Sequence, residues 1–441
     1  MTMKRTFYLL ILLLSLVVAG VGAYGYFLSD QPTDPLVAQQ ALTPAQAGER
    51  LAHGAYLARA GNCMGCHTAR GAEPYAGGRV IESEFGNFIS PNITADVQYG
   101  IGGWSADDFW SALHNGKSKD GRLLYPAFPF ANYTQITRND SDALFAYFRT
   151  ITAVTKQNQP HDLRFPYNQR ALLAFWRALY FRPAVFQQEK QASAEWNRGA
   201  YLVNGLAHCS ACHSSRNALG ANGGSQDLSG GALAMINWYA PSLVDPHEAG
   251  LAQWQPAQLQ ALLKTGISQH AVVSGPMAEV VAGSLQYLSD TDIAAMSHYL
   301  QALPQVKVAA SDMLDRALQA PQVSEQQMQQ IMQQGARLYG THCADCHGKQ
   351  GAGVAAVYPA LAGNRAVQMQ NVANPLRIIL AGGFAPATEG NPRPYGMPPF
   401  GPVLSDAEVA LVLSYIRNAW GNQASAISSA EVNRYRTAPL N

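Results

Sequence analysis

Three short segments of the chain carry the same set of reactive side chains. In each, two cysteines stand three positions apart and a histidine directly follows the second: Cys63-Met64-Gly65-Cys66-His67, Cys209-Ser210-Ala211-Cys212-His213 and Cys343-Ala344-Asp345-Cys346-His347. Together they use all six cysteines of the 441 residues. Cysteines at this spacing share one side of a helical turn. Both thiols can be consumed there as thioethers to the vinyl groups of a haem, while the adjacent imidazole turns to the iron. A structural zinc site needs four ligands, and no cysteine remains to complete any set. A dithiol redox pair leaves the histidine unexplained in every copy. The expected chemistry is covalent attachment of three haem c groups through Cys63, Cys66, Cys209, Cys212, Cys343 and Cys346, with His67, His213 and His347 as iron ligands.

A haem that only transfers electrons takes a second axial ligand, and a methionine sulfur raises its potential. In the third segment Met397, within Tyr395-Gly396-Met397-Pro398-Pro399, precedes Ser405 by 8 residues. In the second, Met277, within Gly275-Pro276-Met277, precedes Ser289 by 12. These two are the expected sixth ligands. Met235, Met296 and Met369 read as core or groove fillers. The first segment differs: its loop Tyr125-Pro126-Ala127-Phe128-Pro129 has Phe128 in the methionine's place, and no methionine lies between Met64 and Met235. His114 is the candidate substitute ligand; otherwise the iron is open. Each segment also carries a proline two residues before an aliphatic side chain, Pro91/Ile93, Pro241/Leu243 and Pro359/Leu361. The proline carbonyl is expected to accept the Nδ1 proton of the ligating histidine and so orient the ring.

The elements that must position these groups repeat as well. The first cysteines are 146 and 134 residues apart, a domain-sized period. Ahead of each stands Gly-Ala-x-Leu, at Gly54 to Leu57, Gly199 to Leu202 and Gly335 to Leu338, which reads as a helix running into the motif. Behind each comes a capping pair that starts a second helix: Thr137/Asp140, Ser289/Asp292 and Ser405/Glu408. Ten residues after each cap is a tyrosine, Tyr147, Tyr299 or Tyr415. Ile293, Met296 and Leu300, like Val409, Val412 and Ile416, recur at helical spacing and form a core face. These residues build the domains and carry no chemistry. The stretches 156–190, with Phe175, Trp176, Tyr180 and Phe181, and 306–326, with Pro321, read as connectors.

Lys4 and Arg5 precede an uncharged stretch of 22 residues, Phe7 to Leu28. As a helix this spans roughly 33 Å, enough for a bilayer core. The expectation is a membrane anchor with Tyr24, Tyr26 and Phe27 at the interface. The alternative is a signal peptide cut near Val21-Gly22-Ala23. Either reading exports the rest of the chain. Charged residues are only 13% and the net charge is +1, which removes the basic footprint of a nucleic-acid binder. No nucleotide-binding glycine fingerprint, nucleophile elbow or zincin motif offers a separate substrate site.

With these features in view, the sequence resembles the triple-haem cytochrome c subunits of membrane-bound bacterial alcohol, aldehyde and sugar-acid dehydrogenases. The likeness covers nearly all of the chain after residue 45. It includes Gly100-Ile101-Gly102-Gly103-Trp104-Ser105, Asp120-Gly121-Arg122-Leu123-Leu124-Tyr125-Pro126-Ala127, Asn237-Trp238-Tyr239-Ala240-Pro241-Ser242-Leu243 and Ala419-Trp420-Gly421-Asn422. It implies an all-α protein of three consecutive class I cytochrome c-like domains after an N-terminal membrane helix. The expected division is 1–30 anchor or signal peptide, 46–155 first domain, 156–190 connector, 191–305 second domain, 306–326 connector, 327–423 third domain and 424–441 tail. It also implies an electron-transfer subunit with no substrate site of its own, at the periplasmic face of the bacterial cytoplasmic membrane. Such a subunit takes electrons from a quinoprotein or flavoprotein dehydrogenase subunit and passes them to ubiquinone or another respiratory acceptor. Phe128 departs from the family's usual methionine. That departure raises two alternatives, a molybdenum hydroxylase-type partner or a haem enzyme working at an open first haem.

Overall fold

The structure, a computed structural model, describes residues 2–28, 43–269, 271–306 and 323–437. Most of the expected second connector, 307–322 with Pro321, and the last residues of the tail lie outside them. The chain divides into two compact units: Met1–Ala192 with Tyr201–Ala211 and Arg216–Asp227, and Ser193–Ala200 with Cys212–Ser215 and Leu228–Asn441.

In the first unit the opening helix Pro44–Ala60 starts at a capping box. Thr43 accepts the Gln46 amide hydrogen, the Gln46 side chain returns to the Thr43 N–H, and Pro44 stands where no donor is needed. The closing helix Arg138–Phe148 is capped by Thr137, as the sequence predicts. The two cross at Gly54, with Leu57, Ala58 and Ala60 buried against Ala143, Leu144 and Phe148.

The second unit repeats the device twice. Helix Ala194–Tyr201 pairs with Asp290–Ala302, capped by Ser289, and helix Glu325–His342 pairs with Asp406–Asn418, capped by Ser405 and Glu408. Ile293, Met296, Leu300, Val409, Val412 and Ile416 are all buried, which is the face their spacing predicts. Arg417, fully buried, donates to Val367 O, Met369 O and Ser425 O at 2.6, 2.9 and 2.9 Å, tying the chain after the closing helix to the third core. A further helix, Ser429–Arg436, packs on Asp406–Asn418 within the expected tail.

Two features of the expected fold are corrected. The chain is not all-α: a three-stranded antiparallel sheet, Val80–Ser83, Gly86–Ile89 and Asp162–Leu163, lies in the first unit, and two-stranded pairs lie in the second. These strands of two to four residues pair the backbone groups of loop segments with one another.

The expected N-terminal membrane helix is not found: among the described residues no helix is long and apolar enough to cross a membrane. The α-helix Thr2–Ala23 begins with polar Thr2, Lys4, Arg5 and Thr6 and stops short of the expected end. Tyr24–Leu28 forms a π-helical turn against helix Leu173–Tyr180. A methyl group at Gly25 would stand 1.7 Å from Ala174 O. Arg177 Nε donates to Gly25 O at 2.9 Å, and Tyr26 Oη donates to Gly121 O at 3.1 Å. The aromatic end of the segment thus docks on protein.

Candidate haem sites

Each cysteine motif forms a short helix or helical turn soon after its opening helix: Cys63–His67, Ser210–His213 following the π-helical turn Leu202–Leu206 and Cys209, and Ala344–His347 following Cys343. Asn62 and His208, each just before the first cysteine, hold left-handed backbone, φ 48° and 41°, so the chain turns sharply into the motif. None of the six cysteines is joined in a disulfide. Burial, aided by the neighbouring Cys66, pushes the Cys63 thiol up to about 12, and burial with Cys346 pushes Cys343 up to about 11. A working dithiol redox pair needs the opposite shift.

The three histidines share one second partner. His67 Nδ1 lies 2.8 Å from Pro91 O, His213 Nδ1 2.7 Å from Pro241 O, and His347 Nδ1 2.9 Å from Pro359 O. These are the prolines picked out by the Pro-x-aliphatic pattern. A carbonyl only accepts, so Nδ1 carries the proton and the Nε2 lone pair is left to offer to a metal. The protein packed around each ring lowers its pKa and keeps it neutral, the form that ligates. Paired thiols and oriented neutral imidazoles in all three motifs, with a sharp turn into the first two, fit covalent haem.

Met277 is half-buried at the start of helix Pro276–Gly283, not in an open loop. Met397 lies in the short strand Gly396–Met397, packed against the third core. Met296 and Met369 are core residues, whereas Met235 is exposed. Phe128 packs its ring 5.2 Å from that of Tyr133, a buried tyrosine beside Cys63 and Cys66. His114 is buried, stacked 4.5 Å from Trp110, with Nδ1 3.0 Å from Thr134 O. Its ring is therefore oriented by a carbonyl, as the motif histidines are. His208 and Tyr133, which close around the first motif, carry no sequence signal beyond His208 standing directly before Cys209.

Paired helices framing cysteine motifs, with each histidine leaning on a proline carbonyl, define a c-type cytochrome. The chain belongs to the cytochrome c family, whose profile matches residues 51–152, 197–304 and 332–420. Such domains imply covalently bound haem c. The chain is 37% identical over 405 residues to the cytochrome c subunit of a quinone alcohol dehydrogenase from Gluconacetobacter polyoxogenes, covering 90% of this chain and 86% of that one. It is also 37% identical to the gluconate 2-dehydrogenase cytochrome c subunit of Pantoea cypripedii, covering 89% and 90%. A third relative, the fructose dehydrogenase cytochrome subunit of Gluconobacter japonicus, is 34% identical over 429 residues, which are 92% of this chain and 85% of that one.

Proposed function

We propose that the chain is the triple-haem electron-transfer subunit of a dehydrogenase complex. It would relay electrons from a catalytic subunit to ubiquinone or another respiratory acceptor at the periplasmic face of the cytoplasmic membrane. The observation that carries this reading is the threefold recurrence of a cysteine pair with a histidine whose Nδ1 is held by a proline carbonyl. Bound haem supplies reversible one-electron chemistry at iron. The chain's own residues do the rest: the six cysteine sulfurs form the thioethers, and His67, His213 and His347 present Nε2 in a fixed plane. Met277 and Met397 would supply thioether sulfur to the second and third irons, a ligand that favours the ferrous state. The dehydrogenase partner is supported by relatives that are themselves named dehydrogenase subunits. Export is supported by the basic, then apolar, N-terminus.

The test is native purification with its companions. Intact mass should exceed that of the polypeptide by three haems that acid-acetone does not extract, and a dehydrogenase catalytic subunit should copurify. Its substrate should then reduce all three haems, and ubiquinone should reoxidise them. Two or fewer attached haems, or purification without a catalytic subunit, overturns the reading. Phe128 favours a second reading in which an open first haem reacts with small ligands; carbon monoxide binding by the isolated reduced protein supports it, and lack of binding removes it.

A further inference from the structure

The first cysteine motif and the residue before Cys209 meet inside one compact unit, which includes Tyr201–Ala211 together with the first domain. The contact is buried and tightly fastened. Asn132 Nδ2 donates to Asn204 O at 2.8 Å and to Ser210 Oγ at 2.9 Å, and Tyr201 Oη donates to Asp140 Oδ2 at 2.5 Å. All five of these residues are less than one-tenth exposed. At its centre is the Gly61 carbonyl, which accepts Tyr133 Oη at 3.2 Å and is also hydrogen-bonded by the His208 ring. The Tyr133 and His208 rings meet edge to face at 5.6 Å. On its other side Gly61 faces the first motif: a methyl group there would lie 3.3 Å from Cys63 Sγ.

We propose that His208 is the bridge for electron transfer between the first and second haems. The inference rests on the relay reading above. From Cys63 the path runs back along the backbone to Gly61 O, across one hydrogen bond to the His208 ring, and on through covalent bonds to Cys209. Electronic coupling falls more steeply across gaps than along bonds, and this route has a single non-covalent step. One electron passes: one iron goes from ferrous to ferric and the other from ferric to ferrous. No bond forms or breaks, and His208 keeps its proton.

Backbone geometry does not explain the imidazole. Asn62 holds the same left-handed position before Cys63, and asparagine is among the residues that tolerate it best. Asparagine makes the same turn before Cys63 without a ring, so the ring of His208 points to a use beyond the turn. Burial lowers the ring's pKa, so it remains neutral and adds no charge beside the irons.

The experiment uses the haem-loaded full chain and a photoexcited ruthenium complex as electron donor, following equilibration between the first and second haems by transient absorbance. His208→Asn and His208→Gly both suit the left-handed backbone and both remove the ring. Each should slow equilibration several-fold while the three reduction potentials stay at wild-type values. Unchanged rates in both variants overturn the bridge and leave the relay standing. Slower transfer with a shifted potential assigns His208 a structural role and likewise overturns the bridge. No equilibration in the wild type overturns the relay itself.

Discussion

A methyl group on Gly54 would stand 2.0 Å from the carbonyl oxygen of Ala143, and the same relation recurs between Gly199 and Ala295 at 2.0 Å and between Gly335 and Leu411 at 2.5 Å. In each domain the opening and closing helices therefore touch backbone to backbone. Their closeness depends on a missing Cβ.

Two effects oppose each other in Gly54→Ala. Alanine gains about 1 kcal/mol of intrinsic helix propensity over glycine. Overpacking commonly costs about 1–3 kcal/mol, and here the obstacle is a carbonyl that cannot rotate away as a side chain does. Destabilisation should win, lowering the melting temperature of the first domain by several degrees. Calorimetry of Gly54→Ala, Gly199→Ala and Gly335→Ala checks this. A rise in melting temperature would show that the helices can separate freely.

How far such features are legible in sequence depends on their range. The caps at Thr137, Ser289 and Ser405 are three-residue signals and lie where the sequence puts them. The proline partners are legible although they lie 24, 28 and 12 residues from their histidines, because a shared Pro-x-aliphatic pattern marks them. The fate of Tyr24–Leu28 is not legible. Apolar spacing alone cannot distinguish lipid from the face of Leu173–Tyr180, some 150 residues away, and only the close approach of Gly25 to Ala174 decides it. Strands of two to four residues are too short to show a period. His208 is illegible as a bridge because its partner, Gly61, lies in another domain of the sequence.

Helix Ser429–Arg436 is fastened to the third domain by a charge pair that acid should release. Asp406 accepts from Arg436 Nε at 2.5 Å and Asn433 Nδ2 at 2.8 Å, and the Arg436 hydrogen bond above all holds its carboxyl below the ordinary 3.8. Glu408, accepting chiefly from the Ser405 backbone N–H, also lies below its ordinary 4.5. A depressed folded pKa stabilises the fold fully above the unfolded value and loses that contribution as pH falls through the folded value. Helix Ser429–Arg436 should therefore loosen on acidification below about pH 4, seen as proteolysis by an acid-active protease. Asp406→Asn should already be looser at neutral pH and respond less to acid. An equal acid response in the variant would place the effect elsewhere.

Met277→Ala and Met397→Ala should each affect one haem. Losing a thioether that favours the ferrous state lowers that haem's reduction potential or opens its iron to exogenous ligands. Redox titration of each variant, with imidazole binding as a second readout, makes the check. If neither variant changes potential or ligand binding, neither sulfur reaches iron.

The first haem should be the exception. Phe128 occupies the slot between Pro126 and Pro129, and its ring rests 5.2 Å from Tyr133, which borders Cys63 and Cys66. A phenyl ring offers iron no lone pair. The first haem should therefore be either bis-histidine through His114, with a lowered potential, or high-spin with an accessible iron. His114→Ala separates these outcomes, since only the first converts from low to high spin. Phe128→Met puts sulfur on a side chain that already lies against the tyrosine beside the cysteines. It should raise the first haem's potential and give a low-spin, methionine-ligated spectrum while the other two haems keep theirs. If Phe128→Met leaves all three potentials and the spin state as they were, then residue 128 does not face the iron and the correspondence with Met277 and Met397 fails for the first domain.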